Sequence, residues 1–284
     1  MQQFNGLVKA DILPEEHQST FRSLASKLNM LALSSRPDFT YAAKYLTTRY
    51  GKATKSDLTR AVKLLKKAKI DRSGMIIPNL GDIQDWLIVG ISDASNKSAS
   101  EVFSVGGHVV MIVNKNTEAA AVLHWSSKKI SRVVSSSLAA ETLGLQQMTG
   151  TLYLVRKLLE GICGVQANKI PCLALTDSTN LWSCIHNISS CSDNRLQADV
   201  INIRQAIHDD QTIQEVRYIH SSEMLADCLT KQNNLTGEML LNTVRTGSYS
   251  VPGGTALRDS TRTSVKTWNQ LMTAEKKTEG RGHL

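Results

Sequence analysis

Paired cysteines are absent from this 284-residue chain. Its five cysteines, an odd number, include no C-x-x-C pair. Structural zinc sites usually carry such pairs, and disulfide frameworks belong mainly to secreted chains with an even number of cysteines. The sequence therefore argues against a zinc site and a disulfide framework, and it predicts reduced thiols.

Long apolar runs are also missing. No stretch approaches the roughly 18 apolar residues that indicate a transmembrane helix, and residues 1–6 lack the charged and then apolar layout of a secretory signal. We therefore expect an intracellular, cytoplasmic protein that is not secreted and does not bind a membrane. With 41% hydrophobic residues, the chain can still form a core.

Phosphate-binding loops of the P-loop and G-x-G-x-x-G types are absent, and so is any internal repeat. Positive charge, by contrast, is abundant, with a net charge of +8. Residues 1–90 carry 14 basic and 8 acidic side chains, whereas residues 91–231 carry 12 and 13. A basic arm beside an acidic middle suits a polyanionic substrate, although basic surfaces can also serve solubility alone.

The pattern of apolar residues changes near residue 80. Three helices are predicted before it, the third from about Lys55 to Lys69. After it we predict three antiparallel strands and a long helix from about Leu138 that ends at Gly161. The serines at 135–137 offer N-cap groups to this helix and place Glu141 in its first turn. Alternating strands and helices follow. These are a strand ending at residue 177, helices over 179–188 and 193–208, a strand over 212–219 and a helix over 223–230. The result is an α/β fold whose sheet has five strands.

Four acidic residues stand out by their settings. Asp93 and Asp177 each follow a short apolar run that reads as a buried strand, and Glu141 and Asp227 lie in predicted helices. Carboxylates without histidine or cysteine partners suit Mg²⁺ or Mn²⁺. Taken singly, each could instead be a helix cap or a surface charge. As a set they indicate metal-assisted phosphodiester chemistry.

Short strings around these residues resemble the ribonuclease H domain of Ty1/copia-type retrotransposon polyproteins, over roughly residues 18–250. The strings are SDAS (92–95), GG (106–107), WSSKK (125–129), SSLAAET (136–142), TDS (176–178) and LADCLTK (225–231). Upstream, FRSL (21–24), KLN (27–29) and SRPD (35–38) resemble the segment that connects the reverse transcriptase to that domain.

The resemblance implies a ribonuclease H-like fold, a five-stranded mixed sheet flanked by helices and preceded by a small helical segment. We expect a helical connection-like segment at 1–80, a ribonuclease H-like domain at 85–232, and a C-terminal helix with a polar, basic, partly disordered tail at 233–284. The polymerase carboxylates of the Tyr-x-Asp-Asp type are missing. The chain therefore resembles the C-terminal piece of a polyprotein, and the polymerase part of that polyprotein is an expected partner. The resemblance also implies a virus-like particle or the nucleus as an alternative location to the cytoplasm.

The resemblance also gives each acidic residue a role around two Mg²⁺ ions about 3.5–4 Å apart. Asp93 would bridge both ions, Glu141 and Asp177 would hold the ion on the leaving-group side, and Asp227 would hold the ion that activates water. Because the carboxylates repel one another, an empty site should have raised carboxylate pKa values. His220 corresponds to a loop histidine that assists proton movement or product release, although the loop is short and a capping role is the alternative.

The expected substrate is an RNA/DNA hybrid, which is read by its shape and its 2′-hydroxyl groups. Candidate contacts are Asn96, Lys128, Lys129, Gln146, Ser178 and Asn180. The expected function is a metal-dependent endonuclease that cuts the RNA strand of such hybrids during reverse transcription. The alternative is a catalytically inactive or co-opted remnant that binds nucleic acid or a partner protein. All four acidic positions are filled, which favours the nuclease.

Overall fold

Helices and a five-stranded sheet make up the part of the chain that the computed structural model describes, namely residues 12–72, 74–96, 104–166, 169–186 and 193–253. Residues 97–103 lie outside these ranges, and so does the tail from residue 254 onward that is expected to be partly disordered. Within them, no helix is both long enough and apolar enough to cross a membrane.

Three helices precede the sheet, as predicted. They are α1 (Glu15–Ser34), α2 (Thr40–Thr47) and α3 (Lys55–Ile70), with a 3₁₀ turn at Pro37–Phe39 between the first two. Thr54 and Asp57 form a reciprocal capping box at the start of α3, so two backbone N–H groups that lack helical partners are satisfied there. Phe21, Leu28 and Leu46 are buried among these helices and give the segment an apolar core of its own.

The sheet is mixed and has the strand order β3-β2-β1-β4-β5. Its strands are β1 (Trp86–Ser95), β2 (Val105–Asn114), β3 (Ala120–Lys129), β4 (Cys172–Thr176) and β5 (Glu215–Tyr218). The first three form the predicted antiparallel meander, while β4 and β5 add in parallel on the other side of β1. The predicted mixed sheet of five strands, flanked by helices and preceded by a helical segment, is confirmed.

Helices cover both faces of this sheet. One face packs against α4 (Ser137–Cys163), α5 (Thr179–His186) and α6 (Asn194–His208), around side chains such as Ile88, Leu145 and Ile203. The other face packs against α7 (Asp227–Thr230) and α8 (Asn234–Thr246). Because β1 lies at the centre and is covered on both faces, seven of its ten residues are buried, as expected for a strand with a near-continuous apolar run.

Three local boundaries differ from the sequence prediction. Strand β5 is shorter than predicted, since it covers Glu215–Tyr218 rather than 212–219. Helix α4 continues through Gly161 and ends at Gly164, which adopts the left-handed conformation (φ 66°) that glycine tolerates without strain. The single helix expected over 223–230 is two short elements, a 3₁₀ turn at Ser221–Glu223 and then α7. The two elements are separated at Met224, whose ψ of 85° is not helical.

The helical segment packs against the sheet-containing part through specific contacts. The Trp125 indole N–H donates to the Ala32 carbonyl at 2.9 Å. The side chain of Asp38 is almost fully buried and pairs with Arg36 and with Lys67. Lys67 also pairs with Glu238 of α8 at 2.9 Å. These contacts tie α1 to β3 and α3 to α8. The domain boundaries proposed at 80–85 and 232–233 stay a prediction.

Candidate metal centre

Two acidic residues come together because β1 and β4 are parallel neighbours. Their register pairs Ile91 with Leu175, so Asp93 near the end of β1 lies beside Asp177, the first residue after β4. Parallel strands end at the same edge of a sheet, and ligand-binding groups of open α/β sheets gather there. The register therefore places these two carboxylates at the same edge of the sheet.

The third carboxylate comes from α4, which packs across β1. Ser136 caps this helix by accepting a hydrogen bond from the Ala139 N–H at 3.1 Å, as the serine run predicted. Glu141 is the fifth helical residue, at the start of the second turn rather than in the first. Its side chain points toward the sheet and is only 8% exposed. The helix cap thus fixes how far along β1 this carboxylate lies.

Asp93, Glu141 and Asp177 each offer a carboxylate oxygen, and these oxygens all lie within 4.8 Å of one another. Asp93 and Glu141 are buried, and Asp177 is partly buried. Three acceptor-only groups at this separation repel one another strongly unless a cation or a proton lies between them. A hard divalent cation with oxygen ligands fits this donor set.

The expected rise in carboxylate pKa values is found at two of the residues. Burial raises the pKa of Glu141 to about 9, with further increases from the charges of Asp93 and Asp177. Burial also raises the pKa of Asp93 to about 6, although a hydrogen bond from Thr230 and the charge of Lys231 act against it. Desolvation is therefore a larger cause than the mutual repulsion invoked from the sequence.

The structure does not bring Asp227 into this group of three. Its Oδ1 pairs with the Lys231 ammonium at 2.8 Å, and its Oδ2 accepts a hydrogen bond from the Asn233 side-chain amide at 3.1 Å. Asp227 still lies close enough for its charge to raise the pKa of Asp93. Of the four predicted ligands, three converge and the fourth is engaged by neighbours on its own segment.

Helix α7 reaches the site because Gly107 leaves room for it. Gly107 lies opposite Asp93 in the β1–β2 ladder. A Cβ atom at this position would meet Leu229 Cβ at 2.7 Å and Thr230 Cγ2 at 2.8 Å. Thr230, fully buried, donates its hydroxyl hydrogen to the Asp93 carboxylate. The close approach of β2 and α7 thus orients the carboxylate of Asp93 through the Thr230 hydroxyl.

The other predicted residues have local roles or lie at the surface. His220 is exposed; its Nδ1 accepts a hydrogen bond from the Ser222 N–H at 3.2 Å and lies 2.8 Å from the Ser222 hydroxyl, so it caps the 3₁₀ turn. Ser178 accepts a hydrogen bond from the Leu181 N–H at the start of α5. A role for His220 in proton movement and a role for Ser178 in substrate contact stay predictions.

The remaining substrate-contact candidates occupy different parts of the structure and stay predictions. Lys128 and Lys129 are exposed at the end of β3, Asn96 is exposed just after β1, Asn180 is exposed on α5, and Gln146 is half-buried on α4. Their elements surround the edge that carries the acidic residues. This placement is compatible with contact to a substrate at that edge.

Sequence reasoning missed Thr230, Lys231 and Asn233 as members of the site. Lys231 lies four residues after Asp227, the spacing at which opposite charges meet on a helix, so this pair had a detectable signal. Thr230 and Asn233 had none, because their contacts depend on how α7 packs against β1 and how α8 begins.

Comparisons with known proteins give low similarities. No family model and no curated protein matches the sequence. Among solved structures, the N-terminal RNase H domain of Rv2228c from Mycobacterium tuberculosis is 16% identical; the match covers 55% of this chain and 98% of that one, with a TM-score of 0.37. LC11-RNase H1 in complex with an RNA/DNA hybrid, from a compost metagenome, is 16% identical over 55% and 99%, with a TM-score of 0.38.

A foamy viral protease-reverse transcriptase in complex with an RNA/DNA hybrid is 12% identical. That match covers 68% of this chain but 26% of the viral one, with a TM-score of 0.33. At these identities and TM-scores, the similarities assign no function to this chain.

Proposed function

We propose that this protein is a metal-dependent ribonuclease H, an endonuclease that hydrolyses the RNA strand of RNA/DNA hybrids. One observation carries the proposal: three carboxylates from β1, α4 and the end of β4 meet within 4.8 Å at one edge of the sheet. A structural network would pair such groups with arginine or lysine, whereas here Glu141 is buried beside two other acids. That arrangement costs stability and is typical of a functional site.

The donor set fits Mg²⁺ or Mn²⁺. Asp93, Glu141 and Asp177 would hold the cation, and Asp227 would complete the set. When bound, the metal would stabilise the negative charge that develops on the phosphate and leaving-group oxygens and would favour attack by water. The protein's own part is positional: strands β1 and β4 fix two carboxylates, the capped α4 fixes the third, and the Thr230 hydroxyl orients Asp93.

The finer assignment rests on the sequence strings. We propose that the chain is the C-terminal part of a Ty1/copia-type Pol polyprotein, in which residues 1–80 connect to a reverse transcriptase. The contacts of α1 with β3 and of α3 with α8 support a connecting segment that packs directly on the nuclease part. The polymerase part of the same polyprotein is then the expected protein partner.

The test is cleavage of an RNA/DNA hybrid that carries a label on the RNA strand. With Mg²⁺, the wild-type protein should cut the RNA and leave duplex DNA intact, and EDTA should stop the reaction. Asp93→Asn should lower the rate by at least about a hundredfold, since the central ligand of the metal is lost. Asp210→Asn, which changes an exposed carboxylate on the loop after α6, is the matched control and should retain the full rate.

The same assay separates the nuclease from a non-catalytic module. If the wild-type protein binds the hybrid in Mg²⁺ or Mn²⁺ but leaves its RNA intact, the proposed activity is wrong. A co-opted remnant that binds nucleic acid would then be the better explanation. Cleavage that is insensitive to Asp93→Asn would point to a contaminating nuclease and would also contradict the proposal.

A further inference from the structure

Lys231 places an ammonium group beside the metal centre. Its Nζ lies 2.8 Å from Oδ1 of Asp227, and the side chain is half exposed. The positive charge of Lys231 also acts on the acidic cluster, where it opposes the rise in the pKa of both Asp93 and Glu141. Partial burial favours the neutral amine, but the hydrogen bond to Asp227 and the charges of Asp93, Asp227 and Asp177 outweigh it and raise the pKa of Lys231.

The environment of Asp227 explains why it stands apart from the other three acids. Both of its carboxylate oxygens are engaged, one by Lys231 and one by Asn233. The Asn233 side chain is itself anchored, because its Oδ1 accepts hydrogen bonds from the Leu235 and Thr236 N–H groups at the start of α8. The amide contact is therefore fixed by the fold, whereas the lysine contact depends on a long, flexible side chain.

A divalent cation bound by Asp227 and the ammonium of Lys231 would compete for the same atom, Oδ1 of Asp227. Two positive charges within a few ångströms repel each other, and a half-exposed lysine can move its ammonium into water at small cost. Resting on the proposed function, we infer that Lys231 is a built-in counter-cation. Its ammonium pairs with the Asp227 carboxylate when no divalent ion is bound, and this ion pair must break before Asp227 can bind the divalent ion.

Metal affinity tests this inference without measuring catalysis. Lys231→Gln removes the competing charge, so Mn²⁺ titrated calorimetrically into the full-length protein at pH 7.5 should bind roughly two- to fivefold more tightly, the size of a half-exposed ion pair. Lys231→Arg keeps the charge and should show no such gain. The matched control is Lys157→Gln, which breaks a lysine–glutamate pair on α4 about 24 Å along the helix from Glu141.

Thermal unfolding provides a second test, in which the melting temperatures of Lys231→Gln and the wild type are compared without metal and in saturating Mn²⁺. Without metal, Lys231→Gln should melt below the wild type, because the acidic cluster loses its counter-charge. In saturating Mn²⁺ the difference should vanish or reverse, because the wild type must then displace its lysine. A variant that melts lower by the same amount with and without Mn²⁺ would overturn the inference.

Chemical modification of the wild type tests displacement directly. Brief acetylation with acetic anhydride, read by mass spectrometry, should label Lys231 faster when Mn²⁺ is present and leave the rate at Lys157 unchanged. Equal labelling of Lys231 with and without bound Mn²⁺ would overturn the inference alone. Failure of the wild type to bind Mn²⁺ or Mg²⁺ at all would overturn the proposed function with it.

Discussion

Replacing Glu141 with glutamine should make the metal-free protein more stable, even though the same change removes a metal ligand. Glu141 is 8% exposed, and burial, together with the charges of Asp93 and Asp177, raises the pKa of its carboxyl group from 4.5 to about 9. At pH 7.5 the folded protein must therefore keep Glu141 protonated, while the unfolded chain ionises it freely. Glutamine is neutral in both states and avoids this difference.

The sign follows from proton linkage. Between pH 4.5 and 9 the folded state binds one more proton at Glu141 than the unfolded state does, so the free energy of unfolding falls as pH rises. The slope is about 1.36 kcal/mol per pH unit, which gives at most ~4 kcal/mol at pH 7.5. Relaxation and water entry around a real carboxylate reduce this, and we expect a gain of about 2 kcal/mol for Glu141→Gln.

Urea unfolding in EDTA at several pH values measures the effect. The two proteins should have similar stability near pH 4.5 and diverge steadily up to about pH 9. Glu160→Gln is the contrasting variant, since Glu160 is also buried on α4 but lies near Arg156 and Lys157. Loss of that paired charge should destabilise the protein at pH 7.5. Parallel stability curves for wild type and Glu141→Gln would refute the reasoning, because they would mean that Glu141 ionises normally.

Two further substitutions test how the site is positioned. Gly107→Ala should lower the free energy of unfolding in urea by about 1–3 kcal/mol and weaken Mn²⁺ binding, because the added methyl group collides with Leu229 and forces α7 away. Gly150→Ala is the control. Gly150 lies on α4, its new methyl group would meet no neighbouring atom within 4 Å, and the variant should not be destabilised. Thr230→Val removes the hydroxyl donor to Asp93, so the pKa of Asp93 should rise further above 6. The pH at which calorimetric Mn²⁺ affinity reaches half its maximum should then move upward, and an unchanged midpoint would show that the hydroxyl does not stabilise the carboxylate.

The elements that carry the three converging acids could be predicted because their signals are local. Apolar runs before Asp93 and Asp177 indicated buried strands, and the serines before Leu138 indicated where the helix of Glu141 begins. The parallel register of β1 and β4 then follows from the usual geometry of strand and helix units. Glu141 was misplaced by less than one turn, because the cap is Ser136 rather than a later serine.

Other features depend on tertiary contacts that leave no periodic signal. Two glycines, Gly161 and Gly164, could each end α4, and only the structure shows which one adopts the left-handed conformation. The break at Met224 has no proline or glycine to mark it. The engagement of Asp227 by Asn233 arises where α7 meets the first turn of α8, two elements that the sequence pattern treats separately.

The four acidic residues differ in how firmly the fold holds them, and this difference bears on how a metal centre could assemble. Asp93 and Asp177 extend from two hydrogen-bonded strands inside the sheet, and Glu141 belongs to a 27-residue helix packed across β1. None of these can move far without disturbing the core. Asp227 begins a helix of only four residues whose approach to β2 already depends on Gly107. Any adjustment that brings a fourth ligand to the cation must therefore come from α7 and its side chains, because the other three ligands are fixed by the sheet and by α4.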